Sequence, residues 1–132
     1  MENSEVPPKR ILIVDDEEDM LNIMYKRLTA VGYEVSQAKT GHAALLKVKS
    51  FLPDLIIMDI VLPDLDGSEV VKAIHREPVT QMIPVIFLSG IVTSDDQNPR
   101  SEIMVDGRRY QAIPKPITFH ELLKQVGSIF AK

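Results

Sequence analysis

Three short apolar runs, each ending abruptly in a polar residue, constrain this chain more than any other feature. Ile11-Leu12-Ile13-Val14 stops at Asp15-Asp16, Leu55-Ile56-Ile57-Met58 stops at Asp59, and Val85-Ile86-Phe87-Leu88 stops at Ser89-Gly90. Such runs are too short for buried helices, and a run that is apolar at every position leaves no side for solvent. This is the pattern of a strand inside a parallel sheet covered on both faces. Between the runs the period lengthens. Met20, Ile23, Met24, Leu28 and Val31 recur at helical spacing before Gly32, and Ala44, Leu45, Val48 and Leu52 do so between Thr40 and Pro53. Val70, Val71 and Ile74 follow a capping box made by Asp66 and Glu69, and Leu122, Leu123, Val126 and Phe130 follow one made by Thr118 and Glu121. Tyr33 to Ser36 alternates like a strand nearer a sheet edge. Tyr110 to Ile113 is a weaker strand, which Pro114 assigns to an edge. The alternation predicts an α/β fold, a doubly wound five-stranded parallel sheet with helices on both faces. Residues 91–109 are poorly patterned. Asp95 to Pro99 reads as loop, and the only helical candidate there is a short piece from Ser101 to Val105.

The 132 residues suffice for one domain with a core of its own. Residues 1–9 are polar, contain two prolines and lack the apolar stretch of a secretory signal; they read as a flexible lead-in to a domain over residues 10–132. No apolar run approaches the roughly 20 residues a membrane helix needs, so a cytoplasmic protein is expected. The absence of cysteine excludes disulfides, thiolate nucleophiles and sulfur-based zinc sites. His42, His75 and His120 have no metal-ligand spacing and read as helix-surface residues, His75 being the one that a partner could touch. A net charge of −4 argues against nucleic-acid binding by this domain.

In an open parallel sheet, ligands bind beyond the carboxyl ends of the strands where the strand order reverses. The residues delivered to that end are Asp15-Asp16, Asp59, Ser89 and Lys115. Carboxylates about 4 Å apart repel by about 4 kcal/mol per pair at an effective dielectric near 20, so the grouping calls for a cation. All the donors are oxygen, which suits Mg2+ better than zinc. A carboxylate beside such an ion is a candidate nucleophile, with Ser89 and Lys115 placed to contact the oxygens of a phosphoryl group.

Four stretches, ILIVDDEEDM, LIIMDIVLPDLDG, PVIFLSG and PKPI, in this order, resemble the receiver domain of two-component response regulators. The resemblance spans nearly the whole chain from Lys9 to Lys132. It implies a flavodoxin-like sheet in the order 2-1-3-4-5. It implies that Asp59 accepts a phosphoryl group as an acyl phosphate. Asp16 would ligate Mg2+ directly, Asp15 mainly through water, and the backbone carbonyl of Val61 would be a third protein contact beside Asp59. Ser89 would bond a phosphoryl oxygen, and Lys115 would pair with the phosphate, aimed inward by a cis peptide bond before Pro116. Gly90 would keep the site open, and Pro63 and Gly67 would shape the loop after Asp59. The implied partner is a histidine kinase or a histidine phosphotransfer protein, with no membrane contact; a homodimer is compatible with it.

Two features depart from the family pattern. Receivers usually carry Tyr or Phe three residues before the lysine, where this chain has Ala112; Tyr110, two residues earlier, keeps the same strand face but lies about 7 Å away. The interval from Ser89 to Lys115, 26 residues, is also a few residues longer than usual. These features motivate a second reading, a phosphorylation-independent interaction or dimerisation module. Glu17, Glu18 and Asp19 are assigned only a favourable interaction with a helix dipole. Asp64-Leu65-Asp66-Gly67 resembles the opening of a phosphatase motif, but there the first aspartate ends a strand, whereas here Pro63 precedes it. A nucleotide-binding reading fails because no glycine-rich loop follows the first apolar run.

Overall fold

The structure is a computed structural model and describes residues 6–90 and 101–131. In chain order the elements are β1 (Arg10–Val14), α1 (Glu18–Ala30), β2 (Glu34–Ala38), α2 (Gly41–Phe51), β3 (Leu55–Asp59), α3 (Gly67–Arg76), β4 (Val85–Ser89), β5 (Ser101–Val105), β6 (Arg108–Pro114) and α4 (Phe119–Phe130). The sheet order is β2-β1-β3-β4-β6-β5. The first five strands in that order are parallel and reproduce the flavodoxin-like 2-1-3-4-5 arrangement. Strands β1, β3 and β4 form the centre and are buried almost throughout, as continuous apolar runs require.

The pleat divides their side chains between two cores. Leu12, Val14, Ile56, Met58 and Phe87 face α2 and α3, where they meet Ala44, Val48, Val70, Val71 and Ile74. Ile11, Ile13, Ile57, Ile86 and Leu88 face α1 and α4, where they meet Leu21, Met24, Leu28, Leu122 and Val126. Complete burial of each such aliphatic side chain contributes about 1.5–3 kcal/mol before conformational entropy is subtracted. The α1 face is therefore Leu21, Met24 and Leu28, while Ile23 and Val31, expected on it, are exposed. Leu52, expected on the α2 face, instead follows the helix in a left-handed conformation with φ 50° and is exposed.

The main departure from the sequence reading lies at the far edge. The sheet has six strands, not five, and Ser101–Val105 is strand β5, not a short helix. The loop expected at Asp95 to Pro99 lies outside the described residues. Strand β5 runs antiparallel to β6 with Val105 opposite Arg108, so only Asp106 and Gly107 form the turn. Both have positive φ, 51° and 78°, as a two-residue hairpin turn matching the sheet twist requires. Asp-Gly between alternating apolar residues is the sequence signal of such a hairpin, and it outweighs the weak helical pattern of Ser101 to Val105. The strand with Pro114 is accordingly interior, between β4 and β5. Among the described residues the β5 pairing ends at Ala112, and on the β4 side the Lys115 N–H, not one at position 114, donates to the Ser89 carbonyl.

Candidate phosphoacceptor site

Strand order reverses between β1 and β3, and the acidic residues gather at the carboxyl ends of these strands. Asp15 follows β1 and is wholly buried; Asp59 ends β3 at 5% exposure; Asp16 is exposed. One carboxylate oxygen from each of Asp15, Asp16 and Asp59 lies within 4.8 Å of the others. Lys115, just past β6, reaches into this group. Its Nζ donates to Asp59 Oδ2 at 2.9 Å, Asp15 Oδ2 at 3.2 Å and Glu17 Oε1 at 3.4 Å. The main chain fixes the base of that lysine: its N–H donates to the Ser89 carbonyl at 2.9 Å, and the Lys115–Pro116 peptide bond is cis. Ser89 ends β4 almost wholly buried, one residue beyond Leu88, which is the register partner of Asp59.

The electrostatics follow from burial. Desolvation pushes the Asp15 carboxyl above the ordinary aspartate range, and the nearby Asp59 charge adds to that. The Glu17 N–H, which donates to Asp15 Oδ1 at 2.9 Å, and the Lys115 charge pull the other way. Burial also works against the Lys115 ammonium. The bond to Asp59 and the charges of Asp15 and Asp59 outweigh it, so its pKa is raised above the ordinary lysine value. The lysine is thus held protonated by the carboxylates it compensates. The donor set fits a hard divalent cation: three clustered carboxylates, all oxygen, two of them buried.

The loop after Asp59 is locked to the site. Val61 N–H donates to Asp59 Oδ1 at 3.1 Å, which sets the Val61 main chain beside the Asp59 carboxylate. Gly67 N–H donates to the Ile60 carbonyl at 2.6 Å, and a Cβ at Gly67 would stand 2.4 Å from the Asp59 carbonyl oxygen. No larger residue fits that approach. Gly90 has open space around it.

Asp64 and Asp66 have other duties. Asp64 accepts from Gly41 N–H at 2.8 Å, His42 N–H at 3.0 Å and Leu65 N–H at 2.9 Å, and pairs with His42 Nδ1 at 2.6 Å. The His42 and Gly41 N–H groups hold its pKa well below the usual carboxylate range. It therefore caps α2 from another loop, and Asp66 caps α3 through Ser68 N–H at 3.2 Å. These bonds leave no support for a phosphatase motif at Asp64. Of the neighbouring acids, Glu18 and Asp19 do occupy the first turn of α1. Glu17, assigned the same role from sequence, also joins the Lys115 cluster. The count of acids around a single lysine was the signal for it.

His75 and Tyr110 also differ from expectation. Tyr110 is buried, edge-on to Phe87, and its hydroxyl lies 2.6 Å from His75 Nδ1. His75 Nε2 lies 3.0 Å from the Ile83 carbonyl, which can only accept. His75 is therefore a half-buried imidazole whose Nε2 carries a proton toward the Ile83 carbonyl, while its Nδ1 pairs with the Tyr110 hydroxyl. It is a structural tie, not a free surface residue. Ala112 lies opposite Phe87 in register, so the large ring on this part of the core face comes from β4.

The fold and this pocket define a class first: a flavodoxin-like module with clustered carboxylates and a half-buried lysine at the sheet's topological switch. Residues 11–127 match the response regulator receiver domain, and the chain belongs to that family. It is 34% identical over 91% of its length to the response regulator PleD of Caulobacter vibrioides, covering 26% of that protein. It is 41% identical over 61% of its length to the alkaline phosphatase synthesis regulator PhoP of Bacillus subtilis, covering 33% of it. The chain spans about half or less of the length of the curated relatives it matches. Among solved structures, it superposes on the chemotaxis protein CheY4 of Vibrio cholerae with a TM-score of 0.80 at 25% identity, covering 92% of this chain and 98% of that one. A CheY-like receiver domain from Methanospirillum hungatei gives 0.74 at 28% identity, covering 92% of each chain. The protein is a receiver domain of a two-component signalling system. No helix among the described residues is long and apolar enough to cross a membrane.

Proposed function

We infer that Asp59 is the phosphoacceptor and that a histidine kinase or histidine phosphotransfer protein is the donor. The observation that carries this reading is the 2.9 Å contact of Lys115 Nζ with Asp59 Oδ2, inside a pocket that also holds Asp15 and Asp16. An Asp59 carboxylate oxygen attacks the phosphorus of a phosphohistidine. The P–N bond breaks, the imidazole leaves with the bonding electron pair, and an acyl phosphate forms. Lys115, kept protonated by its surroundings, supplies positive charge to the phosphoryl oxygens, and the Ser89 hydroxyl donates to one of them. Asp15, Asp16 and Asp59, with the Val61 carbonyl, would hold Mg2+, which when bound neutralises charge between carboxylate and phosphoryl oxygens. The domain acts as a conditional binding partner and not as a metabolic enzyme. Acyl phosphate formation biases an existing equilibrium between two forms of its signalling face.

The test is phosphorylation by acetyl phosphate or phosphoramidate with Mg2+, followed by mass spectrometry of the digested protein. A single phosphoryl increment on the peptide carrying Asp59, absent without Mg2+ and absent in Asp59→Asn, is the expected result. An adduct elsewhere, or one indifferent to Mg2+, refutes the assignment. The Tyr110–His75 tie supports the second reading, an interaction module whose signalling face ignores phosphorylation, because the aromatic nearest the usual switch position is already bonded in the core. Under that reading Asp59 is modified while the β5–β6 amide resonances stay where they were.

A further inference from the structure

The hairpin that extends the sheet leaves β5 as an edge strand. A two-residue turn closes on a hydrogen-bonded pair, here Val105 and Arg108, so Ile103 also turns its main-chain N–H and C=O toward β6. Glu102 and Met104 turn theirs outward, and no described residue pairs with them. Natural edge strands are blunted by proline, by charged side chains, lysine above all, or by a bulge. Residues 102–105, Glu-Ile-Met-Val, have no proline, lysine or bulge and a single charge at Glu102, and Met104 is 61% exposed. On the same face its cross-strand neighbour Arg109 is exposed, as are Glu102 and its neighbour Gln111.

We propose that β5 is the pairing edge of a two-fold homodimer, in which two copies join antiparallel through their β5 strands about Ile103. The register follows from charge. The outward groups allow three two-fold pairings. Centring on Glu102 sets two glutamates directly opposite each other, and centring on Met104 sets Glu102 opposite Asp106 of the second copy. Like charges directly opposite destabilise a sheet. Centring on Ile103 sets Glu102 opposite Met104 in both halves. Each row across the joined sheet then reads Gln111, Glu102, Met104, Arg109, the last two from the second copy. Acid and base are balanced, and the two Met104 side chains lie near the centre. On the other face the two Ile103 side chains meet at a close non-hydrogen-bonded pair. A second copy brings its own complement to Glu102, the Arg109 at the end of the same row, which is why a second copy is the occupant favoured. So short a ribbon buries well under the roughly 1,000 Å² of a stable interface, so the dimer is weak and concentration-driven. It does not depend on the state of Asp59.

The test combines sedimentation equilibrium with hydrogen exchange on the whole chain. In the unaltered protein, slowing of the Glu102 and Met104 amides is expected to rise with protein concentration in step with the dimer fraction. Met104→Pro removes an outward donor that β6 does not use, and is expected to weaken association about tenfold or more, since two bonds per dimer are lost. Met104→Thr keeps the donor and retains the concentration-dependent slowing. A monomer with fast Glu102 and Met104 exchange at all concentrations overturns the proposal. So does a dimer that survives Met104→Pro. Slowing that is complete at the lowest concentration also overturns it, because something other than a second copy then covers the edge. Should Met104→Pro fail to fold, the exchange series on the unaltered protein decides alone.

Discussion

Replacing Lys115 with methionine keeps the length of the side chain and removes the one charge that touches Asp15, Glu17 and Asp59. Each contact near 3 Å is worth about 5 kcal/mol of attraction at an effective dielectric near 20, most of it offset by desolvation. Glu17 is largely exposed and counts for little. Asp15 and Asp59 are not exposed, and leaving buried carboxylates without their partner costs about 3 kcal/mol at neutral pH in a metal-free buffer. Saturating Mg2+ supplies replacement positive charge, so the same substitution should then cost only about 1 kcal/mol. By linkage the difference, about 2 kcal/mol, means that the variant binds Mg2+ roughly thirtyfold more tightly. Urea unfolding of both proteins in EDTA and in excess Mg2+ measures all four stabilities. The raised Lys115 pKa adds a sign. Its stabilisation is fully present below the unfolded lysine value of 10.5 and is lost as pH rises through the folded value, so the gap between the proteins closes only in strong alkali. Equal losses in EDTA and Mg2+ would refute the reasoning, because the lysine and the cation would then not serve the same carboxylates.

Three further outcomes are expected. Gly67→Ala presses a methyl group against the Asp59 carbonyl oxygen and should lower stability by about 2–3 kcal/mol, read from the urea midpoint, with slower phosphorylation by acetyl phosphate. Asp64→Ala removes the cap on α2 and should destabilise the protein at neutral pH while Asp59 is still modified. Because the folded pKa of Asp64 is lowered, its contribution is present above the unfolded value of 3.8 and fades as pH falls through the folded one, so stabilities measured along an acid series should converge at the acid end. Tyr110→Phe should cost about 1 kcal/mol, and nitrogen chemical shifts of His75 in the unaltered protein should show a ring protonated at Nε2.

The central sheet was legible because Ile11–Val14, Leu55–Met58 and Val85–Leu88 admit almost one conformation each, and the polar residue that stops each run falls at the carboxyl end of its strand. Helix faces were less legible. Leu21 and Ile23 are equally apolar, and only the angle at which α1 meets the sheet buries the first and exposes the second. The hairpin was missed for a different reason: Ser101 to Val105 carries no strong period, whereas the information sits in Asp106-Gly107, a pair of residues that tolerate positive φ. Asp15, Asp16, Asp59 and Lys115 could be grouped from strand ends alone. Glu17, Asp64 and His75 could not, because none of them stands at the end of a strand, and nothing else in the chain points to partners 98, 22 and 35 residues away.

The bonds of the loop after Asp59 carry a mechanical consequence. That segment is tied to the Asp59 carboxylate through Val61, closed by the Gly67 N–H bond to the Ile60 carbonyl, and joined at its middle to the start of α2 through Asp64. If Asp59 is the phosphoacceptor, displacement of its carboxylate reaches α2 through this loop as a lever stroke. Helix α2 is then coupled to that aspartate by two hydrogen-bonded joints and the stretch of main chain between them.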